Sequence, residues 1–182
     1  MYPLKIFQKW LEDHATQDHY LFSTQDLRPL FPHMSEGTFK TLLSRAVSGG
    51  VLDRICRGLY RAPKAAPSDG LLLFRAAAAL RSNAFTYLSL ETVLSEAGVI
   101  SQVPINWISL MSSGRSNTIS CGKFGTIEFV HTRQKPASLQ GSLVYDPHRG
   151  LWRASVVQAL RDMKATHRTC DLIDKEAVCD FI

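Results

Sequence analysis

Ser35-Glu36-Gly37-Thr38-Phe39-Lys40-Thr41-Leu42-Leu43-Ser44-Arg45-Ala46-Val47-Ser48-Gly49-Gly50, continued by Val51-Leu52-Asp53-Arg54-Ile55-Cys56-Arg57-Gly58-Leu59-Tyr60-Arg61, decides how the N-terminal third of this chain folds. Ser35 suits a helix N-cap, and Glu36 puts a negative charge in the first turn, where the helix dipole favours it. Phe39, Leu42, Leu43 and Val47 recur at helical spacing and define a buried stripe. Thr38, Lys40, Thr41, Ser44, Arg45 and Ser48 fall on the outward face. Gly49-Gly50 stops the helix. Two short β segments then flank Arg57-Gly58, which predicts a hairpin.

Upstream, Leu4, Phe7, Trp10 and Leu11 form the apolar stripe of an amphipathic helix. Tyr20 to Phe22 reads as a brief strand. Ser23 and Thr24 each suit the cap of a second helix carrying Leu27, Leu30 and Phe31. Pro29 falls within its early part, so that helix is either short or begins late, and Pro32 ends it. Helix, helix, turn, helix and hairpin is the order of a winged helix-turn-helix, expected over residues 1 to 65. Its third helix is narrow enough for the major groove, where base edges are distinguishable.

Charge agrees with this order. The chain has 182 residues and a net charge of +5. Lys40, Arg45, Arg54, Arg57, Arg61 and Lys64 are opposed only by Asp53, so the window from Lys40 to Lys64 holds as much net charge as the whole chain. Thr38, Lys40, Thr41 and Arg45 are expected to read or approach bases, and Thr24, Ser35 and Ser44 to belong to the same DNA-binding surface. Arg54, Arg57 and Arg61 are expected to hold the phosphate backbone, with Lys64, also expected to bind DNA, just beyond the hairpin. About four neutralised phosphates would give a slope of log K against log salt of roughly −3.6. The alternatives are solvated helix charges, a basic edge strand, or a winged helix that binds protein instead of DNA.

The stretch from Leu42 to Tyr60, and Arg57-Gly58-Leu59-Tyr60 above all, resembles the N-terminal winged helix of AbiEi-type antitoxins. Tyr87-Leu88-Ser89-Leu90-Glu91-Thr92-Val93-Leu94-Ser95-Glu96-Ala97-Gly98-Val99-Ile100 is similar to that family's second helical motif, and Gly125 to Thr132 to a following strand. The resemblance covers roughly residues 20 to 165. It implies a bacterial type IV toxin–antitoxin system of antiviral defence. It further implies a winged helix that represses its own operon at inverted repeats, and a C-terminal domain that counteracts a nucleotidyltransferase-like toxin. Two copies on such repeats, as a homodimer, would place recognition helices about 34 Å apart. The segment from Arg153 to Met163 departs from the family's acidic, alanine-rich helix, and the chain stops soon after.

Residues 69 to 182 are expected to form a mixed domain of helices and antiparallel sheet, so the fold class is α+β. Asp69 suits the cap of a helix through Ala76 to Ala79, and Ser89 the cap of a second. Strands are expected over about 107–111, 117–121 and 126–132, then at 143–145. A helix is expected from about Arg153 to Ala165, and a short one within 171–180. Arg115, Lys123, Arg133 and Lys135 sit in or after turns of the β segments. They form either a second basic surface, for DNA flanks or an acidic toxin face, or ordinary solvated loop cations.

No catalytic motif accompanies these residues. His131 and Glu128 fall on opposite faces of one strand, and Asp146, His148 and Arg149 make a polar turn. Neither carries an elbow, phosphate loop or metal-binding helix. Cys56, Cys121, Cys170 and Cys179 are irregularly spaced and read as buried or free thiols of a reducing compartment. His167 and Cys170 lack a second pair for zinc. The chain is thus expected to be a cytoplasmic binder without enzyme activity, cofactor or metal. No apolar run reaches the length of about 18 residues that a membrane helix needs.

Overall fold

A computed structural model describes residues 2–101 and 106–181. The chain divides into two compact units, Met1–Gly70 and Leu71–Ile182.

The first unit opens with α1, Pro3–His14, whose Pro3 occupies the first turn, where a missing N–H costs nothing. Strand β1, Leu21–Ser23, leads into α2, Thr24–Leu27. Ser23 caps α2 reciprocally. The Asp26 N–H donates to Ser23 Oγ at 3.2 Å, and the Ser23 N–H donates to Asp26 Oδ2 at 2.7 Å. Pro29 follows, and the chain tightens into a 3-10 turn at Arg28–Leu30.

Helix α3 spans Glu36–Ser48, with the Thr38 N–H donating to Ser35 Oγ at 3.2 Å. It ends where Gly50 takes φ 70°. There the Val51 N–H reaches the Ala46 carbonyl at 2.9 Å, and the Gly50 N–H reaches that of Val47 at 3.0 Å. This paired closure satisfies carbonyls that a helix end otherwise leaves open. Strands β2, Asp53–Cys56, and β3, Leu59–Arg61, form the hairpin, with Ile55 bulged between the paired Arg54 and Cys56. β1 pairs along the other side of β3, giving the order β1-β3-β2. Phe7, Leu11, Phe22, Leu27, Phe31, Phe39, Leu42, Leu43, Ala46, Leu52 and Ala62 form the core beneath these elements.

The second unit is a six-stranded sheet with helices. In chain order it holds α4, Leu72–Leu80; β4, Thr86–Leu88; α5, Leu90–Glu96; and β5, Trp107–Ser112. Then come β6, Asn117–Ser120; β7, Thr126–His131; β8, Leu143–Asp146; and β9, Leu151–Ala154. Helices α6, Val156–Ala165, and α7, Lys175–Cys179, complete it. The strand order is β6-β7-β5-β4-β9-β8, and α5 packs on β5 and α6.

Both units mix helix and sheet, as expected of an α+β chain, but the second sheet, expected to be antiparallel, is mixed. β5 runs parallel to β7 because β7 inserts between β5 and β6, and β4 runs parallel to β9. Thr86–Leu88 and Leu151–Ala154 are strands that the sequence pattern does not single out, and α6 begins at Val156 rather than near Arg153. Leu71, not Asp69, is the N-cap residue of α4. Ser89 stands at the N-cap of α5, but its Oγ accepts from no helix N–H; the hydroxyl donates instead to Asp162 Oδ2 at 2.6 Å. None of the described helices is long and apolar enough to cross a membrane.

Candidate nucleic-acid interface

At about 100° per residue, Gly37, Ser44, Ser48 and Thr41 fall along the middle of the outward face of α3. Lys40 borders them on one side; Arg45 and Thr38 border them on the other. All of these residues are exposed. The ridge is therefore small and polar, with a cation on each flank. Thr41 Oγ1 donates to the Gly37 carbonyl at 3.0 Å, and the Ser35 and Thr38 hydroxyls meet at 2.8 Å.

The Lys40 flank faces the hairpin. Between them lies a groove of about 420 Å³, lined by Thr24, Lys40, Leu43, Ser44, Val47, Arg54, Arg57, Gly58 and Tyr60. The hairpin turn is pinned in place: the Thr24 N–H donates to the Gly58 carbonyl at 2.9 Å, and Gly58 takes φ 81°, a region that glycine enters without a Cβ penalty. Arg54 and Tyr60 are cross-strand partners, so both project to the groove side. Three cations and no carboxylate line this groove. Among the described residues, Arg45, Arg54 and Arg57 have no ion pair, while Lys40 lies 3.6 Å from Glu36 with both side chains well exposed.

Two of the expected cations stand elsewhere. Arg61 alternates with Tyr60 along β3 and so projects from the other face, where Asp53 Oδ2 accepts from its Nε and Nη2, each at 2.8 Å. Lys64 lies beyond the hairpin and meets Glu12 of α1 at 3.6 Å. The sequence window counted both with the groove cations. The period-2 alternation of β3 and the turn after it separate them.

A residue that the charge pattern did not single out holds the turn before α3. Arg28 donates through Nη1 to the Phe31 carbonyl and through Nη2 to that of Met34 at 2.6 Å. Its guanidinium also lies 5.2 Å from the centroid of the Phe39 ring. Its place beside Pro29, within a short helix, was the available signal: loop carbonyls with no helical partner need donors.

The four expected cations of the second unit are not brought together. Arg115 occupies the β5–β6 turn, where Arg81 Nη2 donates to its carbonyl at 2.7 Å. His131 closes that turn: its Nδ1 donates to the Gly114 carbonyl and its N–H to Ser116 Oγ, each at 2.9 Å. Arg133 and Lys135 follow β7 and so share this end of the sheet. Lys123 lies at the opposite end, between β6 and β7, with its Nζ 5.1 Å from the Phe124 ring centroid.

Two polar networks lie inside the second unit. Asp162 is fully buried; Ser89 Oγ donates to its Oδ2, and Gln158 and Gln134 donate to its Oδ1 at 2.8 and 3.0 Å. The nearby Tyr87 hydroxyl is buried without a hydrogen-bond partner among the described residues; burial, and then the Asp162 charge, raise its pKa above the ordinary phenol value. In the second network, Arg168 donates to both Glu91 carboxylate oxygens at 2.7 Å and to Glu128 Oε1 at 2.5 Å. Burial pushes the Glu128 carboxyl up, but hydrogen bonds from Arg168 and from Ser109 Oγ, at 2.8 Å, outweigh it and hold the pKa below the ordinary value. These networks tie α5, α6 and β7 together. Among the described residues, no three His, Cys, Asp or Glu side chains are placed to hold a metal.

No protein-family model matches the chain, and no curated protein matches it.

Proposed function

We propose that the first unit is a winged helix-turn-helix that binds duplex DNA, with α3 as its recognition helix and the β2–β3 hairpin as its wing. The observation that carries this reading is the groove shared by α3 and the hairpin turn, where Lys40, Arg54 and Arg57 converge with no carboxylate in the lining. Cations so arranged match a phosphate backbone running beside the helix. The ridge of Gly37, Thr41 and Ser44 lets the helix backbone approach base edges closely. Thr and Ser hydroxyls there donate to and accept from bases in the major groove.

The resemblance to AbiEi-type antitoxins extends this reading to biology. The protein represses its own operon and, through its second unit, counteracts a nucleotidyltransferase-like toxin in a bacterial phage-defence system. The reading is of a binder in the cytoplasm and assigns no reaction to the chain.

Titration of the full chain with double-stranded oligonucleotides tests the core of the proposal. Binding is expected at low salt, with a negative slope of log K against log salt; no binding at low salt overturns it. A reporter fused to the gene's own upstream region tests repression. The charge reversal Arg57→Glu separates two roles: loss of operator binding with toxin neutralisation retained marks the second unit as the toxin's counterpart.

A further inference from the structure

The outward face of α3 has a second flank. Opposite the hairpin groove lies another of about 870 Å³, formed where the N-terminal end of α1 runs past α3. Leu4, Met34 and Leu42 supply apolar lining, and the exposed side chains of Tyr2, Lys5 and Arg45 stand around it. Lys5 and Arg45 have no ion pair among the described residues. At the mouth, the Ser35 and Thr38 hydroxyls bond to each other at 2.8 Å, which leaves one hydroxyl proton of the pair to donate outward.

We infer that this groove seats the second sugar-phosphate strand bordering the major groove that α3 enters, with Lys5 and Arg45 as its phosphate contacts. The inference rests on the DNA-binding reading above. It follows from size and charge. An α-helix with its side chains is about 10–12 Å across, and the major groove is about 12 Å wide, so a helix inserted there touches both walls. Lys40 and Arg45 lie about 140° apart around α3 at 100° per residue, one toward each wall. The hairpin groove supplies the cations for one backbone, and the α1-side groove, on the opposite flank of α3, supplies them for the other. Its apolar lining suits the C–H surface of deoxyribose, and its two cations suit the phosphates on either side of the sugar. Lys5 is thus a positioning residue for recognition. It stands outside the basic run of the sequence because α1 delivers it from the far end of the unit.

The test uses the full chain and a mixed-sequence duplex, on which binding is governed by phosphate contacts and needs no known operator. Lys5→Gln, Arg45→Gln and Arg57→Gln are compared with the unchanged protein by salt-dependent titration, with melting curves to verify folding. Lys5→Gln, Arg45→Gln and Arg57→Gln are each expected to reduce the magnitude of the log–log slope by about 0.9, and a variant combining Lys5→Gln with Arg57→Gln by about 1.8. A wild-type slope in Lys5→Gln and Arg45→Gln, beside a reduced slope in Arg57→Gln, overturns the second-backbone contact and leaves DNA binding standing. Unchanged slopes in all three variants, or no binding by the unchanged protein, overturn the DNA reading and this inference with it. A Lys5→Gln variant that alters sedimentation but not slope assigns the groove to a second copy of the chain and likewise overturns the inference.

Discussion

Arg61 meets the Asp53 carboxylate at 2.8 Å on the face of the hairpin turned away from the cross-strand pair Arg54 and Tyr60. The pair fastens β2 to β3 and is withdrawn from the groove that holds Arg57. Arg61→Gln is therefore expected to lower stability by roughly 1 kcal/mol and to leave the salt slope of DNA binding unchanged. Arg57→Gln is expected to do the reverse. Chemical denaturation and duplex titration on the same two variants check the exchange.

Arg28 bridges the end of the short α2 segment to the entry of α3 through the Phe31 and Met34 carbonyls. Arg28→Met keeps much of the packing against Phe39 and removes the donors. A loss of about 2 kcal/mol is expected in denaturant unfolding, since hydrogen bonds from a charged group are each worth about 1.5–3 kcal/mol. DNA affinity is expected to fall as well, because the turn fixes where α3 starts.

Gly37 and Gly58 respond to alanine in opposite ways. At Gly37 an added methyl meets nothing within 4 Å, and the position is helical, so Gly37→Ala is expected to raise stability by up to about 1 kcal/mol. The same methyl stands on the ridge of α3 and is expected to weaken DNA binding. At Gly58, φ is 81°, so Gly58→Ala is expected to cost about 1–2 kcal/mol through backbone strain alone, the nearest side-chain atom being an ordinary 3.6 Å away. Thermal unfolding of both variants, with titration of the first, decides.

Glu128 gives the second unit a pH dependence. Its carboxyl is held below the ordinary glutamate value because Arg168 and Ser109 bond to the charged form. Its contribution is thus complete above about pH 4.3, the unperturbed value, and is lost as pH falls through the lower folded value. Glu128→Gln is expected to cost about 2 kcal/mol at neutral pH. The gap to the unchanged protein should close as the medium is acidified below about pH 4. A gap that stays constant from neutral to acid pH would sink this account.

The first unit was legible in its sequence because its signals are local. Ser35, Gly50 and Gly58 act within a few residues of where they stand, and Phe39, Leu42 and Leu43 repeat on one helix face. What escaped was direction and distance. A count of cations joins Arg61 and Lys64 to Arg57, but strand alternation and a turn send them to other faces. Lys5 reaches α3 only through tertiary packing, and the carbonyls that Arg28 binds are visible only once the turn is closed. In the second unit, the strands Thr86–Leu88 and Leu151–Ala154 are too short to establish a period of their own. Their parallel pairing brings together residues far apart in the chain, and no local pattern encodes it.

That long-range pairing orders events during synthesis. Every strand of the first sheet has left the ribosome once Arg61 emerges. The second sheet must wait for Ala154, because β9 is the parallel neighbour of β4. At about 5–20 residues per second, β4 spends several seconds with that edge uncovered. A nascent chain stalled before Leu151 would expose it to any passing strand, so the half-made second unit is where chaperone capture should concentrate.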